Sequence, residues 1–169
     1  MKKISYQGEL GAYSHLACNE AMADYESVPC RTFEAALNCV REEEADLAMI
    51  PVENSVAGRV ADIHYLLGDY DLKIYAEHFQ NVKHQLLAKK GTSIDEIKFV
   101  RSHSMAIGQC QSAIQRLNLT PIVMADTAGS AKHISEIGTD EDSAIASHLA
   151  AEIYGCLLYT SPSPRDTNP

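Results

Sequence analysis

Short strand-like and longer helix-like stretches alternate along almost the whole chain, and this alternation restricts the fold more than any other feature of the sequence. Lys3–Tyr6 has strand character and is ended by Gly8 and Gly11, after which a helical pattern runs from about Ala12 to Ala23. Thr32 is a good N-cap for a helix over 33–43, whose Phe33, Ala36, Leu37 and Val40 share one face. Leu47–Pro51 is a short apolar strand, the polar loop Glu53-Asn54-Ser55 follows, and a helix then carries Val60, Ile63, Leu66 and Leu67. Asp71–His78 and Gln85–Ala88 have strand patterns and are expected to cross between two lobes. Ser93 is placed to cap a short helix over 94–97. Strands are expected at 98–101, 121–125 and 143–146. The helices between and after them carry Ile107, Cys110, Ile114 and Leu117, then reach Ile137, then end near Gly155. Alternation of this kind predicts an α/β protein with mostly parallel strands covered by helices.

Composition narrows the function classes. The 169 residues are 46% hydrophobic and 22% charged, which is enough apolar material for a real core. A net charge of −9 argues against a nucleic-acid or anionic-membrane surface, and no apolar run approaches spanning length. The opening Met-Lys-Lys-Ile-Ser-Tyr-Gln-Gly has no secretory apolar region, so a cytoplasmic protein is expected. Five scattered cysteines without Cys-x-x-Cys, and seven histidines without His-x-x-x-His, suggest neither a disulfide framework nor a metal site.

Several polar motifs sit just after a strand, where open α/β sheets bind ligands. Gly8-Glu9-Leu10-Gly11-Ala12-Tyr13-Ser14 lets backbone N–H groups and the Ser14 hydroxyl approach a ligand at a helix start. Asn54 and Ser55 can donate to a carboxylate, with Glu53 orienting them and Gly58 closing the loop. Ser102-His103, Asp126-Thr127 and Ala146-Ser147 stand at three further strand-to-helix joins. Taken singly, each is better explained as turn or cap chemistry, and a single loop histidine such as His103 is more often structural than catalytic.

Taken in order, the blocks resemble the prephenate dehydratase family. The resemblance rests on Tyr6-Gln7-Gly8 with Gly11-Ala12-Tyr13-Ser14; Pro51 with Glu53-Asn54-Ser55 and Gly58; and His84 with Leu86-Leu87. It continues through Ser102-His103 with Gln109-Cys110, Asp126-Thr127-Ala128, and Ala144-Ile145-Ala146-Ser147 with Tyr154-Gly155. It implies a two-lobed fold similar to type II periplasmic solute-binding proteins, with the active site in the inter-lobe cleft. Lobe I would be about 1–78 plus 143–157, and lobe II about 79–142. It further implies that Ser14, Asn54, Ser55, Ser102, His103, Thr127, Ala146 and Ser147 bind substrate, while Glu53, Gly11 and Gly58 support the loops.

The implied reaction is the decarboxylating dehydration of prephenate to phenylpyruvate, CO2 and water, a hydro-lyase step of phenylalanine biosynthesis needing no cofactor and no metal. A homodimer is also implied. An arogenate dehydratase, or a non-catalytic small-anion-binding module of the same fold, are the alternatives. The family's Thr-Arg-Phe motif is expected about sixteen residues beyond Tyr-Gly. Here only fourteen residues follow Gly155, they are proline-rich, and Thr160 and Arg165 do not reproduce the motif. The sequence therefore reads as truncated, without the regulatory ACT domain, and with a disordered, foreign tail over 158–169. No catalytic acid is assigned. The expected outcome is very low prephenate turnover by this chain in a steady-state assay; turnover at the family's ordinary rate would contradict it.

Overall fold

The computed structural model describes residues 1–159 and divides them into two compact units. Unit 1 comprises residues 1–9 and 13–81, and unit 2 comprises residues 10–12 together with the chain from 82 onward. Both are α/β, and both are built on the same short topological phrase.

In unit 1, β1 (Lys3–Gln7), α1 (Tyr13–Ala21), β2 (Glu26–Cys30), α2 (Phe33–Arg41) and β3 (Leu47–Met49) form a parallel sheet in the order β2-β1-β3. The middle strand is covered on both faces, so Ile4, Ser5 and Tyr6 are all buried. Ser5 is tolerated there because its hydroxyl donates to the Ala36 carbonyl of α2 at 2.7 Å. Leu16 and Cys18 of α1, Ala36 and Leu37 of α2, and Ile63 of α3 (Ala61–Asp69) supply the remaining core. Thr32 caps α2 as its sequence position predicts, accepting from the Ala35 N–H at 3.0 Å.

Glu53-Asn54-Ser55 is more ordered than a plain loop. Glu53–Asn54 (β4) pairs antiparallel with Gly58–Arg59 (β5), and Gly58 closes the turn at φ +79°, where other residues are strained. The expected strand over Asp71–His78 does not form. A strand needs a ladder partner, and among the described residues this run has none; Ile74 and Tyr75 are 82% and 75% exposed.

Unit 2 holds a five-stranded sheet in the order β10-β6-β9-β7-β8. Its strands are β6 (Gln85–Ala88), β7 (Phe99–Ser102), β8 (Thr120–Val123), β9 (Asp142–Ala146) and β10 (Leu157–Tyr159). β7, β8 and β9 are parallel, whereas β6 and β10 run against their neighbours. Side-chain alternation sorts the two faces. Leu86, Val100 and Ile145 pack with Ile107 of α4 (Ser104–Gln109) and Ile114 of α5 (Gln111–Arg116). Leu87, Ala144 and Ala146 pack with Ala131 and Ile134 of α6 (Thr127–Ile137) and Ala150 of α7 (His148–Tyr154). The single helix expected through Ile107 and Leu117 is broken at Cys110, whose φ of −102° and ψ of 12° leave the helical range.

Two expectations from the resemblance need correction. Residues 143–157 do not return to the first lobe: β9 lies between β6 and β7, and covering both of its faces requires helices from the same unit. Nor does disorder begin at 158, since Leu158 and Tyr159 pair with Leu87 and Leu86. The remainder of that expected tail, from residue 160, lies outside the described residues. No helix among the described residues is long and apolar enough to cross a membrane.

At the opening end of β9, Asp142 accepts through Oδ1 from Arg101 Nη2 of β7 at 2.8 Å, and through Oδ2 from the N–H and hydroxyl of Thr139. Burial pushes the Asp142 carboxyl up, but the Thr139 N–H, Arg101 and the Thr139 hydroxyl together outweigh it and hold the group below its ordinary value. A depressed carboxyl contributes stability above the unfolded-state value, near pH 4, and loses it as pH falls through the folded value. Asp142→Asn is expected to cost about 2–3 kcal/mol at neutral pH. The difference from wild type should narrow below about pH 4, as read by urea denaturation across pH.

Candidate active site

In unit 1 the chain leaves β1 for β2 on one side and then crosses to β3 on the other. That reversal makes a switch point between β1 and β3, where the two following loops diverge and leave a crevice at the carboxyl ends of the strands. Ser14 follows β1 at the start of α1, and Glu53, Asn54 and Ser55 follow β3. Unit 2 repeats the pattern: β7 leads to β8 on one side, and the chain crosses to β9 on the other. Its switch point has Ser102 ending β7 with His103 after it, Ala146 ending β9 with Ser147 after it, and Thr127 follows β8.

Position alone does not make these side chains available. Asn54 is half-buried, and its Oδ1 accepts from the N–H groups of Val56 at 2.9 Å and Ala57 at 3.0 Å. With the oxygen committed to the turn, the Nδ2 amide is left as a two-proton donor, the polarity suited to a carboxylate. Ser55 is exposed at the tip of the same turn, and Glu53 pairs in register with Arg59.

Ser102 and Ser147 are different. Ser102 is fully buried and donates to the Ile145 carbonyl at 2.7 Å. Ser147 is 1% exposed; it donates to the Gly11 carbonyl at 2.6 Å and accepts from the Ala150 N–H at 3.1 Å. Both hydroxyls are committed to the scaffold. Ala146 is fully buried and contributes backbone alone.

His103 caps α4, with Nδ1 accepting from the Met105 N–H at 3.2 Å. That bond selects the tautomer carrying its proton on Nε2, so the ring's second nitrogen is a donor. Thr127 opens α6, whose N-cap Asp126 accepts from the Gly129 N–H and so already places a carboxylate at the helix's positive end. Thr127 itself is half-buried.

One residue without an assigned role from sequence joins this edge. Gln85 pairs with Ala146, so His84 precedes β6 beside the end of β9. His84 Nε2 lies 2.9 Å from Gln109 Oε1, and burial pulls the imidazole below its ordinary value while the Gln109 bond opposes the shift. A neutral imidazole held by a side-chain amide is the result. The sequence signal existed, since both residues lie in the blocks quoted above, but their 25-residue separation concealed the contact.

Gly11 shows how the loop after β1 is held. Its φ is +90°, and a Cβ there would lie 2.7 Å from the Ala150 Cα. Ser147 and Tyr154 grip the same segment, the tyrosine hydroxyl donating to the Leu10 carbonyl at 2.8 Å. Among the described residues, no three or more His, Cys, Asp or Glu side chains are grouped to hold a metal.

Each unit is an α/β unit with hydrogen-bond donors at the carboxyl ends of its parallel strands. The prephenate dehydratase family matches residues 4–161, and the chain belongs to that family. It is 45% identical over 152 residues to the bifunctional N-acyl-homoserine lactone acylase/prephenate dehydratase of Komagataeibacter europaeus, covering 90% of this chain and 54% of that protein. It is 38% identical over 153 residues to the chloroplastic arogenate dehydratase/prephenate dehydratase 2 of Arabidopsis thaliana, covering 90% of this chain and 40% of the relative. Among solved structures, the prephenate dehydratase of Arthrobacter aurescens in complex with L-Phe superposes with a TM-score of 0.84 at 28% identity, over 92% of this chain and 54% of that one. GqqA, described as a novel type of quorum quenching acylase, superposes with a TM-score of 0.88 at 43% identity, over 93% and 57%. The chain thus spans about half the length of these relatives, or less.

Two alanine substitutions separate the strain at Gly11 from its packing. Gly91 has a nearly identical φ of +89° with nothing within 4 Å of a built Cβ, whereas Gly11 meets Ala150. Gly91→Ala should cost about 1 kcal/mol, and Gly11→Ala at least about 2 kcal/mol more, in chemical denaturation. Equal costs would show that the Ala150 contact yields freely.

Proposed function

We propose that this chain binds prephenate and forms part of an enzyme that converts it to phenylpyruvate, CO2 and water. The family match across residues 4–161 carries this reading, and the donor chemistry at the strand ends is consistent with it. Prephenate is a dianion. Its ring carboxylate departs as CO2, leaving an electron pair that enters the ring, while the ring hydroxyl departs with a proton as water. Aromaticity drives the step, so the protein's work is to hold two carboxylates, aid the leaving hydroxyl and exclude bulk water.

In this reading the Asn54 Nδ2 amide and the Ser55 and Ser14 hydroxyls are the carboxylate donors of unit 1, and the unit 2 donors, considered by themselves, are the His103 Nε2–H and the Thr127 hydroxyl. Neutral donors suit this substrate because they bind anions without requiring a strongly positive surface on a chain of net charge −9. Ser102, Ser147 and Ala146 act here as scaffold, fixing the loops that carry the donors. No residue is assigned as the acid.

Arogenate is the second substrate to weigh, because relatives named as arogenate dehydratases match the same stretch. The reaction is unchanged; only the side chain differs, carrying an amine in place of a ketone. The acylase named for the relative from Komagataeibacter europaeus is a further chemistry to assay, since that relative is similar over the same stretch of this chain.

The test is equilibrium binding of prephenate and arogenate by calorimetry on the full 169-residue chain, alongside product analysis for phenylpyruvate, phenylalanine and acyl-homoserine lactone cleavage. Asn54→Asp keeps an oxygen for the Val56 and Ala57 N–H groups but replaces the amide donor with a negative charge. It is expected to weaken prephenate binding about 100-fold. Unchanged affinity would remove Asn54 from the site. Tight binding without any product would favour a small-anion-binding module instead.

A further inference from the structure

Two of the five free cysteines, though nine residues apart, meet in unit 1. Cys30 is the last residue of β2, Cys39 lies on α2, and their Sγ atoms are 3.8 Å apart. Both side chains are half-buried, whereas Cys18 of α1 is fully buried. From the geometry of this pair we infer that Cys30 and Cys39 form a redox modification site, closing into a reversible intrachain disulfide when a small-molecule disulfide reaches them.

The bond requires the sulfurs to approach from 3.8 Å to about 2.05 Å, a movement on the scale of side-chain rotation with slight backbone adjustment. The chemistry balances without any group the chain lacks. One cysteine thiolate attacks a sulfur of the small disulfide and expels the first small thiolate, giving a mixed disulfide. The second cysteine thiolate then attacks the protein-side sulfur and expels the second. Each expelled thiolate takes up a proton released by a cysteine, so two protein thiols are oxidised and one small disulfide is reduced to two thiols.

Burial and the adjacent Cys39 push the Cys30 thiol up to about 11, which makes the pair slow to react at neutral pH. The same environment makes Cys30 a poor leaving group, so the disulfide resists reduction once formed. The crosslink would tie the carboxyl end of β2 to α2 directly behind the turn that Thr32 caps. The Cys30 carbonyl also accepts the Gly8 N–H at 2.9 Å, which connects the modified residue to the glycine loop after β1.

The experiment equilibrates the folded 169-residue chain with oxidised glutathione, followed by thiol titration under denaturing conditions, intact mass and peptide mapping. Two of the five thiols should be lost, with a mass decrease of about 2 Da for the two thiol hydrogens. A Cys30–Cys39 linked peptide should appear and disappear again with dithiothreitol. The oxidised chain should melt about 5 °C higher. In the Cys30→Ser and Cys39→Ser variants no intrachain disulfide should form, and the surviving partner should instead retain glutathione. Stable glutathione adducts on both cysteines of the wild-type chain, a crosslink through Cys18, Cys110 or Cys156, or five thiols remaining after equilibration would each overturn the proposal.

Discussion

Buried serine hydroxyls hold both sheets to their surroundings. Ser5 donates to Ala36, Ser102 to Ile145, Ser143 to Phe99 and Ser147 to Gly11, each to a main-chain carbonyl at 2.6–2.7 Å. A hydroxyl taken into an apolar interior without a partner is costly, so each of these residues is acceptable only in the register that supplies its carbonyl. The bonds therefore select as well as stabilise. Ser102 fixes β7 beside β9, Ser5 fixes β1 beneath α2, and slipping either strand by one residue would leave a buried hydroxyl without its carbonyl.

The two units use the same phrase twice. A central strand sends the chain to one side and receives it back on the other, in β2-β1-β3 and again in β8-β7-β9. Thr32 caps the helix after β2, and Asp126 caps the helix after β8, the corresponding place in the second unit. A crevice at each of the two switch points follows from this topology before any side chain is chosen. What the side chains decide is which donors remain free of the scaffold. Asn54 turns its oxygen inward and leaves its amide, and His103 turns Nδ1 inward and leaves Nε2.

Much of the fold was legible in the sequence because its signals are local. Thr32, Asp126, Ser147 and Gly155 each mark a helix end through contacts within four residues, and each does so in the structure. Features that depend on distant partners were not legible. Asp71–His78 has strand-forming residues, but no described segment lies alongside to complete a ladder. Ser102 and Ser147 have the residue type and position of ligand donors, and only the carbonyls of Ile145 and Gly11 reveal where their protons go. Cys30 and Cys39 form no sequence motif, and the β2–α2 turn alone brings them together. Residues 143–157 were misplaced for the same reason: sequence order says nothing about which neighbours a buried strand will choose.

The grip of α7 on residues 10–12 carries a consequence for synthesis. Gly11 and Ser147 are separated by 136 positions, and Leu10 and Tyr154 by 144. As a ribosome extends the chain, β1, α1, β2, α2 and β3 can associate soon after each emerges, because their contacts are short in sequence. Residues 10–12, though among the first to leave the exit tunnel, gain the Ser147 and Tyr154 hydrogen bonds only once α7 has been made. The glycine loop is therefore completed late, and during translation the chain must keep that short segment uncommitted while the strands on either side of it are already paired.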